Sequence, residues 1–130
     1  MNYEPLSDEL ERIGKEIVDS AYRVHKELGP GLLESVYEEC MIHDLRRKGL
    51  KVEQQVCVPI EFDGHLLTNK LRIDMLIEDK VIVENKAVVD MHPLFESQLL
   101  TYLRLGKKRL GYLINYNVSL IKNGIRRFVI

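Results

Sequence analysis

The sequence predicts an α/β fold, a mixed β-sheet flanked by helices in the order ααβββαββ. Three observations lead there: apolar residues recur at helical spacing over the first third, the period becomes two from Val52, and one later helical stretch interrupts a β-rich remainder. A chain of 130 residues is long enough for one domain, read over 1–130, whose core needs no disulfide or structural metal.

Asp8, with Glu11 three positions later, is expected to open the first helix as a capping box. Ile13, Ile17, Val24 and Leu28 form its buried stripe, and Gly29-Pro30-Gly31 ends it by removing a donor and permitting a reversal. A second helix is expected from about Leu32 to Lys48, with Leu33, Val36, Tyr37, Cys40 and Met41 inward and Gly49 as its stop. Val52, Val56, Val58, Ile60 and Phe62 then share one face of a strand, opposite Glu53, Gln55 and Glu61. Pro59 cannot donate to a ladder, which places that strand at an edge or a bulge. After the Asp63-Gly64 turn, strands are expected at about Lys70–Ile77 and Val81–Val88, joined through Glu78-Asp79-Lys80. His92-Pro93 marks a loop, a third helix runs from about Leu94 to Leu105, and Gly106 ends it. Leu110–Tyr116 and Ile125–Ile130, the latter after Asn123-Gly124, complete the sheet.

Composition narrows the function. With 45% apolar and 30% charged residues the chain is not a disordered one, and a net charge of −1 supplies no field that would gather a polyanion. A local patch that touches nucleic acid briefly remains compatible with it. Cys40 and Cys57 lack any C-x-x-C spacing and read as buried, reduced thiols of a cytoplasmic protein. Met1 to Gly14 carries no secretory pattern, and no apolar run approaches the roughly 20 residues of a membrane helix. A soluble protein is expected.

The chemistry concentrates in Arg72-Ile73-Asp74-Met75-Leu76-Ile77 and Val81-Ile82-Val83-Glu84-Asn85-Lys86. If the loop 78–80 pairs Ile77 with Val81, Asp74 lies opposite Glu84, and directly opposed residues sit about 4.5–5.5 Å apart on one face. Lys86, two residues beyond Glu84, shares that face. Two carboxylates about 4 Å apart repel by roughly 4 kcal/mol at an effective dielectric near 20. A lysine relieves part of this, and a hard divalent cation with oxygen ligands relieves all of it. On composition alone a surface ion-pair cluster is the favoured reading, which the apolar neighbours Ile73, Met75, Leu76 and Val81–Val83 weaken.

Asp74 followed by Glu84-x-Lys86 on the next strand resembles the signature of the PD-(D/E)XK nuclease superfamily. Gly31-Leu32-Leu33-Glu34-Ser35-Val36-Tyr37 is similar to the G-x-x-E-x-x-Y stretch that names a group of small bacterial and archaeal proteins within it. The resemblance runs from about Ile13 to Tyr116. It implies a restriction-endonuclease-like core and a divalent-metal-dependent nuclease using Mg2+ or Mn2+ on DNA or RNA. Asp74 and Glu84 are implied metal ligands, and Lys86 the catalytic ammonium. Glu34 is implied as a supporting catalytic carboxylate with Tyr37 accessory to it, and Gln98 and Tyr102 as contacts to the nucleic-acid backbone.

Glu34 and Tyr37 are also neighbours by helical spacing, as are Gln98 and Tyr102. The plain alternatives are a solvated glutamate and a half-buried polar edge. Asn85 departs from the pattern, since the superfamily more often has an apolar residue there, and a buried asparagine needs partners. His25, His43, His65 and His92 show no ligand spacing and read as incidental, with His65 and His92 in loops. Lys107-Lys108-Arg109, Lys122 and Arg126-Arg127 read as solubility charge before phosphate contacts. The rival function is a nuclease-fold binding or regulatory module without turnover, and exposed strand edges make a homodimer conceivable.

Overall fold

A computed structural model describes residues 4–130; Met1–Tyr3, the first residues of the polar N-terminal stretch, lie outside the described residues. The elements are α1 (Asp8–Leu28), α2 (Glu34–Arg47), β1 (Val52–Phe62), β2 (His65–Ile77), β3 (Val81–Lys86), α3 (Pro93–Gly106), β4 (Leu110–Asn115) and β5 (Ile125–Val129), with a short 3-10 turn at Ile121–Asn123. The sheet order is β1-β2-β3-β4-β5. Neighbours run antiparallel except β3 and β4, which are parallel and joined through α3. This is the restriction-endonuclease-like arrangement of a mixed sheet between helices.

Alternation sorts the central strands into two cores. Met75, Ile77, Val81, Val83, Tyr112 and Ile114 pack with α1 and α2, while Leu76, Ile82 and Leu113 pack with Leu99 and Leu103 of α3. β4 is buried along its whole length, and β3 up to Asn85, as expected for strands covered on both faces.

Several boundaries differ from the sequence expectation for local reasons. Ser7, not Asp8, caps α1, its Oγ accepting from the Leu10 N–H at 3.1 Å. Leu28 is exposed, the stripe being completed by Ser20 and Ala21. α2 begins two residues late because Tyr37 holds the preceding turn: its hydroxyl donates to Gly29 O at 2.6 Å and accepts from Leu32 N–H at 3.1 Å. Gly29 and Gly31 there adopt φ of 67° and 100°, which side chains resist. Leu33 becomes the residue before the helix and is 75% exposed rather than inward.

β1 is an edge strand, and its register shifts between Pro59 and Glu61. β2 starts at His65, five residues before the expected Lys70, because Asp63 and Gly64 both take positive φ and turn the chain directly back along β1. The outer part of this hairpin leaves Phe62, expected inward, 72% exposed. Cys57 lies exposed there and Cys40 is half-buried, so neither is the fully buried thiol expected; both are free. His92 caps α3 by accepting from Leu94 N–H at 3.0 Å, and Lys107 rather than Gly106 takes the left-handed cap. His25 is buried against Val118 O at 2.8 Å, and His65 is paired in β2 rather than in a loop. Among the described residues no helix is long and apolar enough to cross a membrane.

Candidate active site

The site forms where two strands part. Ile77 pairs with Val81, Leu76 with Ile82 and Met75 with Val83, the register inferred from the three-residue loop. At the next position the main-chain ladder stops. Asp74 N–H donates instead to Glu84 Oε1 at 3.1 Å, so a carboxylate stands in for a backbone carbonyl. β3 continues alongside β4 as far as Lys86↔Asn115, whereas β2 follows β1, whose Gln55 has φ 51° at the level of the break. Divergence of the strands therefore opens a fork with Asp74 on one prong and Glu84 on the other.

Glu84 is 7% exposed. Burial first, then the Asp74 carboxyl within hydrogen-bonding reach, push its pKa up to about 9; the Asp74 N–H and Lys86 oppose this in part. Lys86 extends from the end of β3, its ammonium 4.5 Å above the centre of the Phe95 ring.

Helix α2 carries two further acids that feel the charge of Asp74. Glu34, half-buried in the first turn, has its pKa raised by burial and by Asp74, with Lys86 acting the other way. Tyr37 does not join them. Its hydroxyl is committed to the Gly29–Leu32 turn and its ring stacks on Tyr116 with centroids 4.5 Å apart, so it braces the start of the helix that presents Glu34. Glu38, one turn after Glu34, was not singled out from the sequence. Burial, Asp74 and Glu34 raise its pKa, Gln54 opposes them, and its Oε1 is buried without a hydrogen-bond partner. The available signal was its i+4 spacing from Glu34.

Helix α3 covers the other side. Gly111 of β4 lets it approach closely: a Cβ there would come within 3.1 Å of Leu99 and 3.2 Å of Leu103. Tyr102 is half-buried, and burial followed by the charges of Glu84 and Asp74 weakens its hydroxyl as an acid. Gln98 lies one turn earlier and is exposed to solvent. Phe95, under the Lys86 ammonium, is a second residue that sequence reasoning missed, since it reads as ordinary core.

Asn85 points away from the fork into the α1/α2 core. It is fully buried, its Nδ2 donates to Met75 Sδ at 3.1 Å, and its Oδ1 has no partner, so its need for partners is only half met. Most of the clustered basic residues are engaged elsewhere. Arg126 pairs with Glu96, Arg127 with Glu11, Lys108 with Asp79, and Arg109 with the carbonyls of Glu4, Pro5 and Ile130. They tie the surface together.

A family model of the PD-(D/E)XK nuclease superfamily matches residues 11–128. The chain belongs to that superfamily. Its nucleases generally use divalent metals, and membership implies a nucleic-acid substrate. Comparison with curated proteins and with solved structures gives no significant match. Among the described residues no three His, Cys, Asp or Glu side chains are gathered as a ready-made metal site. The superfamily's cation nevertheless fits the donors by chemistry: they are hard oxygens, burial and the Asp74 carboxyl hold Glu84 against ionisation, and Glu38 Oε1 lacks a partner.

Proposed function

We propose that this protein is a divalent-metal-dependent nuclease that hydrolyses phosphodiester bonds in DNA or RNA, with Mg2+ or Mn2+ as its metal. The observation that carries this reading is the buried Glu84 carboxyl set against Asp74 at the fork, an arrangement that the Asp74 N–H and Lys86 relieve only in part and that a cation would relieve further. Asp74 and Glu84 would hold the metal. When bound, such an ion lowers the pKa of a water and stabilises negative charge on a phosphate.

The chain's own residues do the rest. Lys86 is the catalytic ammonium, orienting the attacking water or neutralising the phosphate, and Phe95 keeps it beside the fork. Glu34 is the supporting carboxylate, carried on the helix that Tyr37 braces. Tyr102 and Gln98, along one side of α3, position the nucleic-acid backbone. Within the superfamily we place the chain with the GxxExxY group, on Gly31, Glu34 and Tyr37. Residues 1–130 act as one domain, in the reducing cytoplasm that two free thiols suit. The edge strands β1 and β5 leave a homodimer open to test by light scattering.

One observation favours a second reading, a nuclease-fold binding module without turnover: most of the clustered basic residues are tied within the fold. Incubation with single- and double-stranded DNA and RNA, with Mg2+ or Mn2+, separates the two. Cation-dependent cleavage by the wild type, lost in Asp74→Ala and Lys86→Ala, supports the nuclease. Intact substrate that the wild type still binds supports the module.

A further inference from the structure

We infer that Asn115 is a positioning residue for the active site, fixing Lys86 relative to helix α3; this rests on the nuclease reading above. The parallel ladder ends where Tyr116 N–H donates to Lys86 O at 2.9 Å. Beyond Lys86 the chain has no regular partner until α3 begins at Pro93. Within that connection a single side chain replaces the missing ladder. Asn115 Oδ1 accepts from Val88 N–H at 3.1 Å and from Asn117 N–H at 3.1 Å, while its Nδ2 donates to Val88 O at 3.0 Å.

Both backbone polar groups of Val88 are thus held by one residue that is only 2% exposed. The next residue, Val89, is 86% exposed; Ala87 and Met91 pack by their side chains against the two cores, and the side-chain hydrogen bonds to the backbone of the connection at Val88 come from Asn115. What it connects matters for chemistry. On one side is Lys86; on the other is α3, which places Phe95 under the lysine ammonium and Tyr102 beside the acids. Asn115 is also the register partner of Lys86 and is itself anchored, its N–H donating to Gly124 O at 2.8 Å. Only a side chain with an acceptor and a donor on one short planar group meets both demands, which is what an asparagine offers.

The substitutions Asn115→Asp and Asn115→Ala test this. Aspartate keeps the volume and the acceptor oxygen but sets a second oxygen against Val88 O. Alanine removes all three bonds. Misplacement of a catalytic group by a distant change costs about 10- to 100-fold in rate. We expect kcat to fall in that range while KM and Mn2+ affinity stay within about twofold, the ligands being on other residues. Two readouts are independent of activity. Amide exchange at Val88 and Asn117 accelerates, and the Lys86 side-chain methylene signals, displaced in NMR spectra by the Phe95 ring in the wild type, return toward ordinary values. If Asn115→Ala does not fold, Asn115→Asp carries the test.

A folded Asn115→Asp with unchanged kcat and unchanged Lys86 signals overturns the proposal and leaves Asn115 a loop anchor. If the wild type cleaves nothing, the nuclease reading fails by itself, and the Lys86 signals still decide whether Asn115 positions that side chain.

Discussion

Two buried acids in this protein have opposite surroundings. Asp44, 5% exposed between α1 and α2, meets Arg47 at 3.1 Å, Arg23 at 3.5 Å and Lys48 at 3.6 Å. Burial pushes its pKa up, but the nearby Ser20 hydroxyl, the hydrogen bond from Arg47 and the charges of Lys48 and Arg23 outweigh it, leaving Asp44 below the usual carboxylate range. Glu84, 7% exposed, has Asp74 against it, and the cation nearest in sequence lies over an aromatic ring. Both side chains are shielded from solvent, Glu84 more deeply set in the fold, and burial wins at Glu84 where the basic neighbours win at Asp44. Asp44 has its counter-charge built in and pins two helices together; Glu84 has another acid as its side-chain neighbour.

Substitutions should separate the two. Asp74→Ala or Lys86→Ala should reduce cleavage by on the order of 10³-fold, whereas Asp44→Asn should leave the specific activity of folded protein unchanged in the same assay. A nuclease that tolerates loss of Lys86 would remove the fork from the mechanism.

The pH dependence of metal-free stability should differ in sign. Glu84 binds its proton more tightly folded than unfolded, so its contribution is complete below the ordinary value of 4.5 and fades as pH rises toward about 9. Glu84→Gln should accordingly stabilise the metal-free protein at pH 8 by roughly 2–4 kcal/mol and flatten the curve, as read by urea unfolding from pH 5 to 9. Asp44, lowered in the fold, contributes above its ordinary range and loses that contribution as pH falls through its folded value. An unchanged alkaline limb in Glu84→Gln would contradict the assignment.

Asp44→Ala should cost about 1–3 kcal/mol whether or not metal is present, since its partners are half-exposed and regain solvent. Glu38→Gln should do least, weakening Mn2+ binding a few-fold with no loss of stability by thermal melting. A large loss of stability there would make Glu38 a structural acid like Asp44.

The sequence is a good guide to the fork and a poor one to its surroundings, for a physical reason. Register follows from a short loop, so the pairs from Ile77↔Val81 to Met75↔Val83 can be counted from the turn; Asp74 and Glu84 come next, but the ladder has ended there and Asp74 N–H meets the Glu84 carboxylate instead of a main-chain partner. The edge position of Pro59 follows from its missing donor in the same way. Glu38, Phe95 and Asn115 are set by contacts between elements far apart in the chain, and no local period marks them. The late start of α2, with Leu33 left exposed, likewise depends on Tyr37 reaching back to Gly29. Asn85 is legible in the sequence as a polar residue on the inward side of its strand, but the use of Met75 sulfur as its acceptor has no sequence signal.

Calorimetric titration of the wild type with Mn2+ at pH 8, beside Asp74→Asn, asks directly whether the fork holds a cation. Saturable binding by the wild type, with proton release from Glu84 and none of it in the variant, is the expected result. Absence of binding by the wild type at millimolar Mn2+, or equal binding by the variant, would contradict it.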